Sequence, residues 1–241
     1  MTDIVEEGLD IVRAAAAQDL VLRLFGGIGI RVQAPDGHAV LERSYDDLDF
    51  VAPKGSSNRV SSFFLGRGYS ENRELNGLHG HYRLWFHDDA HDRHADVFVG
   101  RFEMCHSIPV AGRLELEPVT LPIAELLLTK LQIVELNDKD RRDLLRLLLG
   151  HELGDDAVGG YVARLCGRDW GLWRTCTGNL DALASSLPDY GLQATARSTI
   201  AARLEQLSAL IARGPKSVAW RARAAVGERM QWYELPEEPD R

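Results

Sequence analysis

Only three of the 241 residues are cysteine: Cys105, Cys166 and Cys176. They are widely spaced and odd in number, so they suggest neither a disulfide framework nor a Cys-x-x-Cys zinc site. Long apolar runs are also missing, and no stretch approaches the ~18 apolar residues of a membrane-spanning helix. Positive charge is in deficit. Lys plus Arg is 28 against 36 for Asp plus Glu, a net charge of -8. That excludes a broadly basic nucleic-acid coat and leaves room only for a local basic groove. Internal repeats, low-complexity segments and long linkers are absent. The N-terminus, MTDIVEEGLDIVRAAAAQ, is acidic where a signal peptide would be basic. The expectation is a cytoplasmic protein with reduced thiols and no membrane partner.

What is present is enough for a core. Hydrophobic residues make up 45% of the chain, and a length near 240 allows one large domain or two small ones. Residues 1–150 hold 24 acidic and 17 basic residues, a balance of -7, while residues 151–241 hold 12 and 11, a balance of -1. Apolar residues near helical period predict a helix over 4–18. The run 21–25 reads as a buried strand stopping at Gly26-Gly27. A second strand surrounds Leu48 and Phe50. A short helix is expected over 57–65, paired strands over 82–86 and 97–99, and a further strand over 114–119. The polar segment 87–95 is long for a hairpin loop. Helices are predicted over 123–134, after Pro122, and over 139–149, 157–166, 169–186, 193–213 and 217–230. Strands first and a helical bundle after is an α+β pattern, divided near residue 120.

The segment Arg43-Ser-Tyr-Asp-Asp-Leu-Asp-Phe50 carries the chemistry. On a strand, Asp47 and Asp49 share one face while Leu48 and Phe50 share the other. Two carboxylates on one face repel unless a cation lies between them, and hard divalent ions such as Mg²⁺ prefer such oxygens. Asp96 opens the apolar run Val97-Phe98-Val99. If its strand lies beside that of Asp49, three carboxylates converge, as two-metal phosphoryl transfer requires. Gly26 and Gly27, after a strand, would let backbone N–H groups approach a phosphate; a plain tight turn is the other reading.

This ordered series resembles the nucleotidyltransferase superfamily related to DNA polymerase β in its minimal form. It is similar in particular to AbiEii-type toxin nucleotidyltransferases and aminoglycoside nucleotidyltransferases. The residues that carry the resemblance are Gly26 and Gly27, Arg43-Ser44, Asp47-x-Asp49 and Asp96. Leu128-Thr-Lys-Leu-Gln132 and Lys139-Asp-Arg-Arg-Asp-Leu144 extend it to residues 20–150. The spacing from the glycines to Asp47 is longer than in the most compact members, and residues 28–40 read as a short helix plus a loop.

The resemblance implies an N-terminal nucleotidyltransferase domain over 1–120, a mixed sheet flanked by helices; the helical periods give a C-terminal helical domain over 121–241, of which the region after about 150 matches nothing in the family. It implies transfer of a nucleoside monophosphate from an NTP to an acceptor hydroxyl with Mg²⁺ or Mn²⁺. Asp47 and Asp49 would hold the metal on the triphosphate and share a second, which Asp96 would complete while accepting the acceptor's proton. Gly26, Gly27, Arg43, Ser44 and Lys130 would contact the nucleotide. Asp140 favours the dipole of its own helix, and Asp143 would orient Lys130 or Arg43. The acceptor is either RNA, such as a tRNA end, for a toxin with a partner antitoxin, or a small molecule. A silent nucleotide-binding protein is the reading from another class. His87, His91 and His94 read as a solvated loop or the border of the site. Trp170, Trp173, Trp220 and Trp232 read as helix packing. Lys216, Arg221, Arg223 and Arg229 form either a solvated face or a strip that guides RNA.

Overall fold

The computed structural model of the chain describes residues 3–36, 38–154 and 157–235. Among these residues are ten α-helices and a five-stranded mixed sheet, an α+β architecture. The sheet order is β1 (Arg23–Leu24), β2 (Asp47–Ala52), β5 (Arg93–Val99), β4 (Arg83–Asp88) and β3 (Ser70–Glu71). Only β2 and β5 are parallel; the other neighbours are antiparallel. A small ribbon, β6 (Phe102–Glu103) and β7 (Ser107–Ile108), follows β5.

Period-two alternation gives the central strands two different faces. Leu48, Phe50, Leu84, Phe86, Ala95 and Val97 are buried on one face. They join a core with α1 (Ile4–Ala16) and α3 (Ser57–Gly66), in which Phe64 stacks on Phe86 with ring centroids 4.5 Å apart. Asp3 caps α1 by accepting from the Val5 N–H at 2.7 Å, and Ile11, Val12 and Ala15 form its buried stripe.

The opposite face carries Asp47 and Asp49 of β2, Arg83 of β4 and Asp96 of β5. Part of it is covered by a second core running from Phe25, Val51 and Phe98 through leucines of α5 (Ile123–Leu131) and α6 (Asp138–Gly150) to Ile211. The helical half continues with α7 (Val158–Arg168), α8 (Trp170–Ser186), α9 (Ala194–Arg213) and α10 (Val218–Val226). α6 opens on a reciprocal capping box between Asn137 and Asp140. No helix is long and apolar enough to cross a membrane among the described residues. The three cysteines are buried and free.

Several expectations need correction. Gly26 and Gly27 do not end a turn: they open helix α2 (Gly26–Gln33). Residues 114–119 form no strand, and an isolated bridge from Leu24 to Thr120 is what remains. The polar segment 87–95 is mostly strand, because β4 and β5 pair in continuous register out to Asp88 and Arg93. A short helix, α4 (Arg73–His79), capped by Asn72, was not expected. Trp232 lies outside any helix and packs against Trp170.

Candidate active site

The strand register builds the site. Asp49 pairs with Asp96 across the parallel β2/β5 ladder, and Asp47 pairs with His94. Directly opposite residues share a face at roughly 4.8 Å between strands. Their partners Leu48 and Phe50, fully buried beneath, lock which face that is. Asp47, Asp49 and Asp96 line one cavity of about 500 Å³, together with Gly26, Arg83 and Lys130. Asp49 is pushed well above the usual carboxylate range by burial and by the charges of Asp47 and Asp96, against the pull of Lys130 and Arg83. Burial also raises Asp96, and Arg83 only partly offsets it.

Each glycine has a distinct steric task. Gly26 has φ +58°, and a Cβ there would lie 1.9 Å from Oδ2 of Asp49. The carboxylate therefore packs directly against the start of α2. The first-turn N–H groups of that helix have no intrahelical acceptor and favour negative charge. A Cβ on Gly27 would lie 1.9 Å from Nη2 of Arg43. Gly27 thus opens the path by which Arg43 reaches Asp143, with bonds of 2.9 and 2.8 Å.

Lys130 projects from α5 into the cavity. Its Nζ lies 2.7 Å from Asp140 and 3.0 Å from Asp143, both on α6. Burial alone would lower its pKa, but Asp143 and Asp140 outweigh burial and hold it raised. The ammonium stays charged and fixed. Asp140 therefore does two things, capping its own helix and gripping Lys130. Gly26, Asp47, Asp49, Asp96 and Lys130 come together at the cavity. Gly27 and Arg43 reach it through Asp143 and Lys130, and Ser44 supplies its carbonyl to Arg43 at 2.8 Å.

Other lining residues escaped the sequence. Arg83 donates to both oxygens of Asp96. The buried indole N–H of Trp85 meets no acceptor among the described residues. His87 and His94 line the cavity from β4 and β5, with rings 4.6 Å apart, so they border the site instead of lying in a solvated loop. His91 stays in the connecting turn and pairs with Asp88 at 2.5 Å. The alternation of Arg83 and Trp85 was a usable signal, but it gains meaning only once β4 is known to lie beside β5.

Among the described residues no three His, Cys, Asp or Glu side chains close into a ready metal cage. The donor set still suits a hard divalent cation. Such an ion is usually held by one or two carboxylates and completed by substrate phosphates, and Asp47 and Asp49 supply two. The like-charge repulsion that raises Asp49 is what such an ion would relieve.

No protein-family model and no curated protein matches the chain. Among solved structures, a crystal structure of ANT(2")-Ia in complex with adenylyl-2"-tobramycin is 19% identical, with a TM-score of 0.43, covering 65% of this chain and 93% of that one. A solution structure of the antibiotic-resistance factor ANT(2'')-Ia is 15% identical, with a TM-score of 0.40, covering 94% of each chain. These likenesses are slight, and the functional reading rests on the carboxylates and their surroundings.

Proposed function

We propose that this chain is a metal-dependent nucleotidyltransferase, moving a nucleoside monophosphate from an NTP to an acceptor hydroxyl. The observation that supports it is Asp49 facing Asp96 across parallel strands, with Asp47 two residues away, in a cavity that also holds Lys130. The motif order seen in the sequence agrees with that geometry.

A divalent ion, Mg²⁺ or Mn²⁺, would neutralise the charge that grows on the phosphoryl oxygens and the leaving pyrophosphate. Asp47 and Asp49 would hold it. Lys130 would face the triphosphate as a compact charge, kept in place by Asp140 and Asp143. The N–H groups opening α2 at Gly26 and Gly27 would donate to phosphate oxygens. The acceptor oxygen would bond to the α-phosphorus as the bond to the β-phosphate oxygen breaks. Asp96, whose burial raises its basicity, would take the acceptor's proton on a carboxylate oxygen. Arg43 and Ser44 would brace the carboxylate strand from behind. We divide these roles near residue 120: residues 1–120 carry the carboxylates, and residues 121–241 bring Lys130 and its partners.

The acceptor we infer is a small molecule. Asp46 and Glu71, paired with Lys139 and Arg73, join the three aspartates in a lining whose own cations, among the described residues, are only Arg83 and Lys130, which suits a neutral or cationic acceptor better than a phosphate backbone. Two cations of the expected basic strip are used elsewhere. Arg223 binds the carbonyls of Gly227 and Met230, and Lys216 those of Ile211 and Gly214.

The test is transfer of label from each of the four α-labelled NTPs, with Mg²⁺ or Mn²⁺, to an aminoglycoside mixture and to total RNA. Labelled small molecule, lost in Asp47→Ala/Asp49→Ala, is the expected result. Label on RNA would overturn the acceptor. Absence of label on every acceptor, with nucleotide still bound, would replace the enzyme by a nucleotide-binding protein.

A further inference from the structure

Asp96 already has a cation, and it belongs to the protein. Arg83 lies on β4, diagonal to Asp96, because Arg83 pairs with Phe98 and Trp85 pairs with Asp96. Its Nε lies 3.0 Å from each carboxylate oxygen, and its Nη2 is 2.5 Å from Oδ2. The guanidinium is stacked, 4.6 Å from the Trp85 ring centroid and 4.7 Å from that of Phe98. The pair is nearly enclosed, with side chains 11% and 16% exposed. A guanidinium cannot lose its charge in a protein. By contrast, among the described residues no Lys or Arg forms an ion pair with Asp47 or Asp49.

We infer that Arg83 competes with a divalent cation for Asp96, so that the free protein offers only Asp47 and Asp49 to an ion. The inference rests on the metal-holding role proposed above for Asp47 and Asp49. Both Asp96 oxygens accept hydrogen bonds from Arg83, and a second cation at the same carboxylate meets a fixed positive charge. Two aromatic faces hold the guanidinium where it is, so it leaves only when a stronger ligand or a rearranged strand end draws it away. Arg83 is thus a positioning residue for Asp96, separating the binding of a first ion from completion of the site.

The experiment is Mn²⁺ titration of the nucleotide-free protein, read by the free-ion electron paramagnetic resonance signal. The chain is compared with Asp47→Asn, Asp96→Asn, Arg83→Gln and the double variant Arg83→Gln/Asp96→Asn. The double variant, which keeps the net charge, is expected to bind Mn²⁺ within about twofold of the parent, and Arg83→Gln to raise affinity by about tenfold or add a second bound ion. The double variant is expected to lose that gain. A gain that vanishes at high salt, with one ion still bound, would show only long-range charge and would overturn the competition. Loss of affinity in the double variant below the parent would overturn it too, since Asp96 would already be a ligand. If Arg83→Gln fails to fold, Arg83→Met, which fills the space against Trp85 and Phe98 without charge, replaces it in both variants. Absence of Mn²⁺ binding, unchanged by Asp47→Asn, would remove the metal-holding role and this inference with it.

Discussion

A methyl group on Gly27 would occupy the space now held by the Arg43 guanidinium. Gly27→Ala should therefore displace Arg43 from Asp143 and destabilise the fold by roughly 1–3 kcal/mol through overpacking. Thermal unfolding measures this, and an unchanged midpoint would show that Arg43 has another path. Asp49 makes an opposite prediction. Its folded-state pKa is raised by burial and by its two carboxylate neighbours. The folded protein then holds that proton more tightly than the unfolded chain, and its charged form costs stability as pH rises through the raised value. Asp49→Asn keeps the shape against Gly26. At neutral pH without metal it should raise the melting temperature by a few degrees, with no gain below about pH 3, where both states carry the proton. Mg²⁺ should stabilise the parent chain and not the variant. A variant that melts lower at neutral pH would refute this account of the cluster.

At the scale of elements, α5 and α6 are joined through charge as well as leucine packing. Asp143 is buried at 2% side-chain exposure yet bonds both Arg43 and Lys130. Burial would raise its pKa, but Lys130 and Arg43 outweigh burial and lower it. Its contribution to stability is fully present above the ordinary carboxylate value of about 4 and is lost as pH falls through the lowered folded value. Asp143→Asn leaves two buried cations without their shared anion and should cost about 3–5 kcal/mol at neutral pH. The gap in melting temperature between variant and parent should close as the pH drops below about 4. The same variant frees Lys130 to move, so NTP affinity should fall by about tenfold. Isothermal titration checks that, and an unchanged affinity would separate Lys130 from the nucleotide. The two helices were legible in sequence from Pro122 and the leucine period. The link between them was not, because a charge at Asp143 selects its partners only after α6 has docked beside Arg43, 100 residues earlier in the chain.

Across the whole molecule, one buried cluster runs from Phe25 and Phe98 at the sheet to Ile200 and Ile211 in α9. A continuous core makes the sheet and the helices unfold together. Calorimetry should show a single transition. Leu144→Ala, at a fully buried position, should lower that transition as a unit, with a cost of about 2–5 kcal/mol. Two separated transitions would show that the sheet and the helices melt independently.

Local chemistry by itself determined much of this protein. The alternation of Asp47, Leu48, Asp49 and Phe50 decides which side chains face the core, because burying Leu48 and Phe50 forces the carboxylates to the other side. The helical periods after Pro122 place most later helices within a few residues of their observed bounds. Tertiary structure alone decided what those faces meet. Which strand lies beside β2, and in what register, is a long-range pairing with no local signature. That pairing sets Asp96 opposite Asp49 and Arg83 diagonal to Asp96. The steric reason for Gly26 and Gly27 likewise lies in side chains from β2 and from Arg43, which arrive only when the chain has closed.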